Sequence, residues 1–300
     1  MTTSPIAPCL WFDDQAEAAA ALYVSAFPDA QLGGTAHYPS SAPNPSGRPP
    51  GSVLTVDFTV AGQRFTALNG GPAFALNPSI SFFVFLPSPG DVDRLYGVLH
   101  DGGQALMPLD AYPWSDRYAW VADRFGVTWQ LMAAPGIERA TIAPCLMFTG
   151  EQHGRAREAM EHYLSAFPGS SVEFTDSYSA DEGAEGTVKH ARFVLSGQPM
   201  AAMDSNYEHG FSFNEGVSLQ VLCADQGQID HYWRALSDGG EPGPCGWLKD
   251  RFGVSWQVVP EAIDEWMNHP DPAARERAFQ AMLTMGKLDI EGLRRAAVGP

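Results

Sequence analysis

Two glutamines stand where their side chains are well placed to contact a ligand. Gln130 and Gln257 each follow a tryptophan in a segment that alternates like a strand, so their side chains turn away from the apolar residues beside them. An amide in that position either contacts a ligand in a cleft or satisfies polar groups at a strand edge. We therefore take Gln130 and Gln257 as candidate ligand-binding residues.

Asn69 and Asp204 each end a predicted strand just before a turn. Both residue types are common there because their side chains hydrogen-bond to nearby backbone groups. A desolvated Asp204 could instead act as a general base, which makes it the weak catalytic candidate. Both residues are kept as candidates for ligand contact.

Cys9 and Cys145 occupy matching positions in two similar segments, and Trp11 follows Cys9 on the same side of its strand. A thiol without a basic neighbour is usually a small apolar side chain, and a tryptophan is equally at home in a core or beside a planar ligand. Arg192 stands where the matching strand has Asp57, so the second half of the chain offers a cation, or else a solvated strand face. All four (Cys9, Cys145, Trp11 and Arg192) are candidate ligand contacts.

The elements that carry these residues occur twice in a chain of 300 residues, which is about the length of two domains. Ile6-Ala-Pro-Cys-Leu10 recurs as Ile142-Ala-Pro-Cys-Leu146, and Asp123-Arg-Phe-Gly-Val127 recurs as Asp250-Arg-Phe-Gly-Val254. We divide the chain into domain A at 1–135, domain B at 141–260 and a C-terminal tail at 261–300.

Each repeat alternates strand and helix patterns in the order strand, helix, strands, twice over. This order predicts an α+β fold with helices on one side of mostly antiparallel sheets and the other side free to line a cleft. Asp14 and Glu17 predict a capping box for the first helix, and Asp271 followed by Pro272 predicts the start of a helix in the tail. The tail is expected to dock on the repeats or on a partner subunit.

The charge balance excludes some partners. The chain has 18 Lys and Arg against 35 Asp and Glu, a formal net charge of −17, so nucleic acid and anionic membranes would repel it. The N-terminal residues lack the pattern of a secretory signal, and the four cysteines form no C-x-x-C pair. We expect a cytoplasmic protein with free thiols.

Several motifs resemble the PhnB-like family of the vicinal oxygen chelate superfamily, which also contains glyoxalase I, bleomycin-resistance proteins and extradiol dioxygenases. The resemblance is carried by Ala26-Phe-Pro28, Gly70-Gly-Pro72, Leu106-Met-Pro-Leu-Asp-Ala-Tyr-Pro-Trp114 and Cys245-Gly-Trp-Leu-Lys-Asp-Arg-Phe-Gly-Val-Ser-Trp-Gln257. It implies paired βαβββ modules, four in all, arranged as a fused pseudo-dimer of two tandem domains with an added helical tail.

The same resemblance implies positions for a divalent metal, which the superfamily often holds with His and Glu. Those positions fall near Ala7, Ala67, Ser79 and Gln130 in domain A and near Ala143, Ala202, Gly216 and Gln257 in domain B. One amide oxygen among such residues cannot hold a hard divalent ion, so we expect no metal. We also expect no cofactor: some relatives carry a demethylubiquinone methyltransferase label, yet the sequence has no G-x-G-x-x-G to cradle a nucleotide.

These features predict a protein that binds a small organic molecule in a metal-free, aromatic-lined cleft, for sequestration or resistance. One alternative is a metal-independent isomerase or lyase of the same superfamily. Another is a structural or partner-binding protein assembled through its C-terminal helices. The fused pseudo-dimer is expected to be a monomer or a homodimer.

Overall fold

The computed structural model describes residues 4–40 and 46–299, and its elements form four βαβββ units. The first unit comprises β1 (Ile6–Phe12), α1 (Ala16–Ala26), β2 (Gln31–His37), β3 (Val53–Val60) and β4 (Gln63–Asn69). The second comprises β5 (Ile80–Leu86), α2 (Pro89–His100), β6 (Gln104–Tyr112), β7 (Ser115–Ala122) and β8 (Thr128–Ala133). The α+β modules predicted for the first domain are confirmed.

The second half of the chain repeats this order. The third unit comprises β9 (Thr141–Phe148), α3 (Ala156–Ala166), β10 (Ser171–Ser177), β11 (Val188–Leu195) and β12 (Gln198–Asp204). The fourth comprises β13 (Val217–Cys223), α4 (Gln226–Ser237), β14 (Glu241–Pro242), β15 (Trp247–Lys249) and β16 (Ser255–Pro260). The tail folds into α5 (Ile263–Met267), α6 (Pro272–Leu283) and α7 (Ile290–Val298).

The four units pair across the repeats to make two sheets of eight strands. Sheet A has the order β14-β15-β16-β13-β1-β4-β3-β2, and sheet B has the order β10-β11-β12-β9-β5-β8-β7-β6. The central antiparallel pairs place Cys9 opposite Ser218 in sheet A and Cys145 opposite Ser81 in sheet B. Each sheet therefore contains one unit from each repeat, so a cleft belongs to a sheet and is formed between the repeats.

Alternation along the strands sends apolar side chains to the side of each sheet that carries helices. In β3, Val56, Phe58 and Val60 are buried in the main core, while Asp57 lies on the opposite side. The main core is continuous between the sheets, because the rings of Phe65 in sheet A and Phe82 in sheet B lie 5.1 Å apart. Large aromatic side chains buried in this way supply much of the hydrophobic stabilisation of the fold.

The first helix is capped differently from the prediction. The capping position is Gln15 rather than Asp14, and its side chain makes no capping bond. The backbone N–H of Ala16 instead donates a 2.9 Å hydrogen bond to Oδ1 of Asn69 at the end of β4. A side chain from a neighbouring strand thus replaces the local capping box.

The tail docks on the repeats, which is one of the two outcomes expected from its sequence. Its helix α6 begins as predicted, with Pro272 in the first turn and Asp271 Oδ1 accepting a 3.0 Å hydrogen bond from the N–H of Ala273. A second core forms where the tail meets sheet A. It contains Ala36, Tyr38, Leu222 and Val259 from the sheet and Trp266, Met267, Ala278, Phe279, Leu288, Leu293 and Ala297 from the tail.

Candidate functional site

The side of each sheet opposite helices α1–α4 carries the candidate residues, and we name these sides face A and face B. Face A contains Cys9, Trp11, Asp57, Thr66, Ser218, Gln220 and Gln257 of sheet A. Face B contains Ser81, Phe83, Tyr118, Gln130, Cys145, His190, Arg192 and Ala201 of sheet B. Strand alternation therefore placed Gln130, Gln257, Cys9, Cys145, Trp11 and Arg192 on the correct sides.

A chain of polar side chains crosses the middle of face A. The Gln257 amide donates to Ser218 Oγ at 2.8 Å, and the Gln220 amide donates to Gln257 Oε1 at 3.3 Å. The Thr66 hydroxyl then lies 3.1 Å from Gln220 Oε1 and 2.7 Å from Asp57 Oδ1. Burial raises the pKa of the Asp57 carboxyl, and its hydrogen bond to Thr66 opposes that shift.

The matching chain on face B is short. The Gln130 amide donates to Ser81 Oγ at 2.8 Å, and the hydroxyl of Tyr118 donates to Gln130 Oε1 at 2.6 Å. Phe83 stands where face A has a glutamine, and Ala201 stands where face A has a threonine. The hydrogen-bonded path ends there, and the side chains around it are apolar.

Aromatic and sulfur-containing side chains line face B. Phe83, Tyr118, Ala143, Cys145 and Ala201 are buried at its floor, with Phe85, Met107, Tyr112, Trp120, Met132 and Met203 partly exposed above them. Two strands separate β5 from β11, a span of about 14 Å in a flat sheet. The rings of Phe83 and His190 nevertheless lie 5.3 Å apart, so the sheet curls around this face.

Positive charge lies at the edge of face B. Arg192 is exposed and sits beside His190 on the same side of β11, across the strand pair from Phe174. Burial lowers the pKa of His190, and the charge of Arg192 lowers it further. Asp57 holds the position of Arg192 on face A, so the two faces differ in the sign of this charge.

Trp11 is fixed at one end of face A. Its indole N–H donates a 2.8 Å hydrogen bond to the backbone carbonyl of Gly71, and its ring packs edge-on against Phe74 and Trp247. Gly70 must lack a side chain, since a Cβ there would come within 2.2 Å of the Trp11 ring. Trp11 is thus a rigid wall of face A.

The two candidate cysteines are buried in an uncharged state. Burial raises the pKa of the Cys9 and Cys145 thiols from 9.0 to about 12. Since the thiolate is the nucleophile, both side chains are unreactive at neutral pH. Their size leaves room for neighbouring side chains on each face.

Asn69 and Asp204 lie on the helix side of the sheets. Asp204 Oδ1 accepts from the N–H groups of Gly154 and Ala156 at 2.8 and 3.2 Å, and its Oδ2 accepts from Val188 N–H at 2.8 Å. Asn69 Oδ1 likewise accepts from the N–H of Ala16 at the start of α1. Both side chains organise the start of a helix and point away from faces A and B.

Some of the positions given for metal ligands need correction. Ala67 and Ala202 are buried in the main core, and the residues that face outward from those strands are Thr66 and Ala201. Ser79 and Gly216 precede β5 and β13. For Ala67 and Ala202, the side of the strand was assigned one residue out of step, because alanine is compatible with either side.

The corrected positions also lack suitable donors for a divalent metal. The side chains on the central strands of face A are Cys9, Thr66, Gln220 and Gln257, and no imidazole accompanies them. Within residues 4–40 and 46–299, no group of three or more His, Cys, Asp or Glu could hold a metal ion. Neutral thiol, hydroxyl and amide groups do not fit a hard cation.

Comparison with known families is consistent with this architecture. The family model for 3-demethylubiquinone-9 3-methyltransferase matches residues 4–132 and 140–259. The chain belongs to this PhnB-like family. Its two matched segments make it a tandem member, and no curated protein matches the chain.

Solved structures place the family member among glyoxalase-like folds. A PhnB protein from Bacillus cereus, titled a putative 3-demethylubiquinone-9 3-methyltransferase, is 30% identical over 43% of this chain and 98% of that one, with a TM-score of 0.39. A protein from Staphylococcus aureus is 34% identical over 44% and 98%, with a TM-score of 0.19. A glyoxalase I mutant from Zea mays is 10% identical over 86% and 95%, with a TM-score of 0.50, and shows the fold alone.

The sequence analysis missed several residues that complete the two faces. Ser81 bonds to Gln130, Ser218 and Gln220 bond to Gln257, Thr66 bonds to Gln220, and the hydroxyl of Tyr118 donates to Gln130. Alternation within each strand was a usable signal for all five, but the sequence did not show which strands of the two repeats lie side by side.

In the part of the chain that the structure describes, no helix is long and apolar enough to cross a membrane.

Proposed function

We propose that this PhnB-like protein binds a small, planar, largely apolar organic anion on face B, without a metal. The observation that carries the proposal is the divergence of two equivalent faces. Face B presents partly exposed aromatic and methionine side chains, whereas face A is polar and contacts the tail. Partly exposed apolar surface of this kind is typical of a binding site.

The side chains on face B indicate the chemistry of its ligand. The edges and faces of Phe83, Trp120 and Tyr112 suit a flat ring, and methionine adapts to rings of different shape. The indole N–H of Trp120 is buried without a partner among the described residues, and a ligand acceptor that displaces its neighbours would satisfy it. Arg192 supplies a positive charge at the rim, where an anionic substituent would be favoured.

The contacts of the candidate acid and base groups do not favour the alternative of an isomerase or lyase. Asp204 has three backbone donors on its two oxygens. Gln257 is a neutral amide within the face A network, so it offers neither an acid nor a base. We therefore propose sequestration or sensing of the ligand rather than its conversion.

A matched pair of tryptophans allows a direct test with the aromatic sulfonate 8-anilinonaphthalene-1-sulfonate. Trp120 lies opposite Gln130 on face B, and Trp247 lies opposite Gln257 at the equivalent place on face A. We expect Trp120→Leu to weaken binding of the probe about fivefold, because one aromatic contact is lost, and Trp247→Leu to leave binding unchanged. Equal effects of the two variants, or none, would contradict the proposal.

The anionic part of the proposal has its own variant. Arg192→Gln keeps a polar side chain but removes its charge, so the probe should bind more weakly and with less dependence on salt concentration. Fluorescence titration at two salt concentrations measures both effects. An unchanged salt dependence would show that the ligand charge is not recognised by Arg192.

A further inference from the structure

The C-terminal tail meets face A through a complete apolar interface. Trp266, Phe279 and Leu293 are buried against Leu222 and Val259, which lie on the same side of β13 and β16 as the polar chain. The aromatic contact of Tyr38 with Phe279, at 6.3 Å between ring centroids, extends the interface to the opposite edge of sheet A. Within the described residues, no comparable segment lies over face B.

The segment between α6 and α7 is attached to the sheet by its backbone. The N–H of Cys245 donates to the carbonyl of Met285, and the N–H of Gly246 donates to the carbonyl of Gly286, both at 2.7 Å. These bonds join Met285 and Gly286 of the tail to the loop between β14 and β15. They position the start of α7 above the fourth unit.

One side chain of α4 clamps the same segment. Gln226 donates from Nε2 to the carbonyl of Leu288 at 3.1 Å and accepts at Oε1 from the N–H of Ile290 at 3.0 Å. Lys287 adds an ion pair with Asp230 at 2.5 Å, one turn further along α4. Gln226 is partly buried and Asp230 is exposed, so the clamp lies at the solvent-facing edge of the apolar interface.

The interface beneath α5 also contains a repulsive element. Burial raises the pKa of the Asp264 carboxyl, the nearby Asp57 of face A raises it further, and Arg64 opposes these effects. Burial likewise raises the pKa of Asp57. Two carboxyl groups between the tail and the sheet make closure less favourable than an all-apolar contact would.

We propose that residues 261–298 are a releasable cover for face A, held closed by the clamp of Gln226 on Leu288 and Ile290. In the closed form the chain presents face B and withholds the polar face A. Opening exposes the network of Asp57, Thr66, Gln220 and Gln257, whose chemistry suits a hydrogen-bonding ligand rather than an aromatic one. The cover does not depend on what binds to face B.

Two full-length variants test the cover in opposite directions. Gln226→Ala removes both clamp bonds and retains the helix, so hydrogen exchange of residues 285–298 should accelerate about tenfold. Asp264→Asn removes the like charge and should slow the same exchange. Gln228→Ala is the matched control, because it is the same substitution on the same helix, and the bond of the Gln228 side chain, from the N–H of Ala224 at 3.0 Å, does not involve the tail.

Two cysteines, one against the tail and one on face B, report whether the tail opens. Alkylation by N-ethylmaleimide, followed by peptide mass spectrometry, should be about tenfold faster at Cys245, whose backbone N–H bonds to Met285, in Gln226→Ala, and unchanged at Cys145, which lies in sheet B. Unchanged exchange of the tail in Gln226→Ala would overturn the clamp. Faster exchange without faster reaction of Cys245, or equal acceleration at Cys145, would overturn the cover.

Discussion

The hydroxyl of Tyr23 donates a 2.8 Å hydrogen bond to Asp123, and this bond joins a helix on sheet A to a loop of sheet B. The second domain repeats it with Tyr163 and Asp250 at 2.6 Å, from a helix on sheet B to a loop of sheet A. Each carboxylate therefore links two units that belong to one repeat but lie in different sheets. These bonds help to fix how the sheets pack together.

Removal of either tyrosine hydroxyl should destabilise the protein. We expect Tyr23→Phe and Tyr163→Phe each to lower the free energy of unfolding by about 1–2 kcal/mol, because a buried carboxylate loses one of its donors. Urea unfolding measures the change. Tyr96→Phe is the control, since the Tyr96 ring stacks on His100 near the surface of α2. A loss as large in the control would show that the effect does not come from the bonds to Asp123 and Asp250.

The Asp-Arg-Phe-Gly-Val motif shows what one sequence can predict. Its repetition indicated the duplicated domains, but the sequence did not indicate a role for its aspartate. The structure shows that Asp123 accepts from the indole N–H of Trp129 at 2.9 Å and from two backbone N–H groups, besides Tyr23. The tryptophan six residues away was a local signal, but Tyr23 is 100 residues away and could not be paired with Asp123 from spacing alone.

Strand alternation predicted which side of a sheet a side chain lies on better than it predicted what covers that side. It assigned Gln130 and Cys9 correctly because their apolar neighbours alternate clearly, and it misplaced Ala67 because the side chain is equally compatible with core and surface. The helices of the tail were predicted, but not the face that they cover. Docking depends on complementary shape between distant segments, and no local pattern encodes it.

Substitution of Asp204 tests whether its side chain caps a helix or contacts the ligand. Asp204→Ala leaves three backbone N–H groups short of an acceptor, so we expect a loss of about 2–4 kcal/mol in the free energy of unfolding. Asn69→Ala should cost less, about 1–2 kcal/mol. Binding of the aromatic sulfonate should be unchanged in both variants wherever they are folded. Loss of binding with unaltered stability would make Asp204 a ligand-binding residue.

The buried thiol of Cys145 predicts a loss of stability in alkali. Its pKa is raised from 9.0 to about 12, so below pH 9 the thiol is neutral in both the folded and the unfolded chain. Between those values the unfolded thiol ionises and the folded one does not, which lowers the free energy of unfolding by about 1.4 kcal/mol per pH unit. Cys145→Ala should therefore flatten the decline measured by urea unfolding between pH 9 and 10. An identical decline in the variant would show that Cys145 does not contribute.

The position of His190 beside Arg192 predicts that anion binding on face B becomes tighter as the pH falls. Burial and the charge of Arg192 lower its pKa, so the neutral imidazole is favoured in the free protein and stability should fall as the pH drops below 6.5. A bound anion favours the imidazolium, because its negative charge offsets the repulsion between His190 and Arg192. Affinity for the aromatic sulfonate should therefore rise as the solution is acidified from pH 7 to pH 5.

His190→Gln isolates this contribution, since glutamine keeps a polar side chain but does not titrate in that range. The variant should bind the sulfonate with an affinity that is nearly independent of pH, while Arg192→Gln should keep a pH dependence at weaker overall binding. His209, whose pKa is also lowered by burial, lies outside face B, so His209→Gln should behave like the natural sequence. If the pH dependence instead disappeared in the His209 variant and persisted in the His190 variant, the anion would not be bound beside β11.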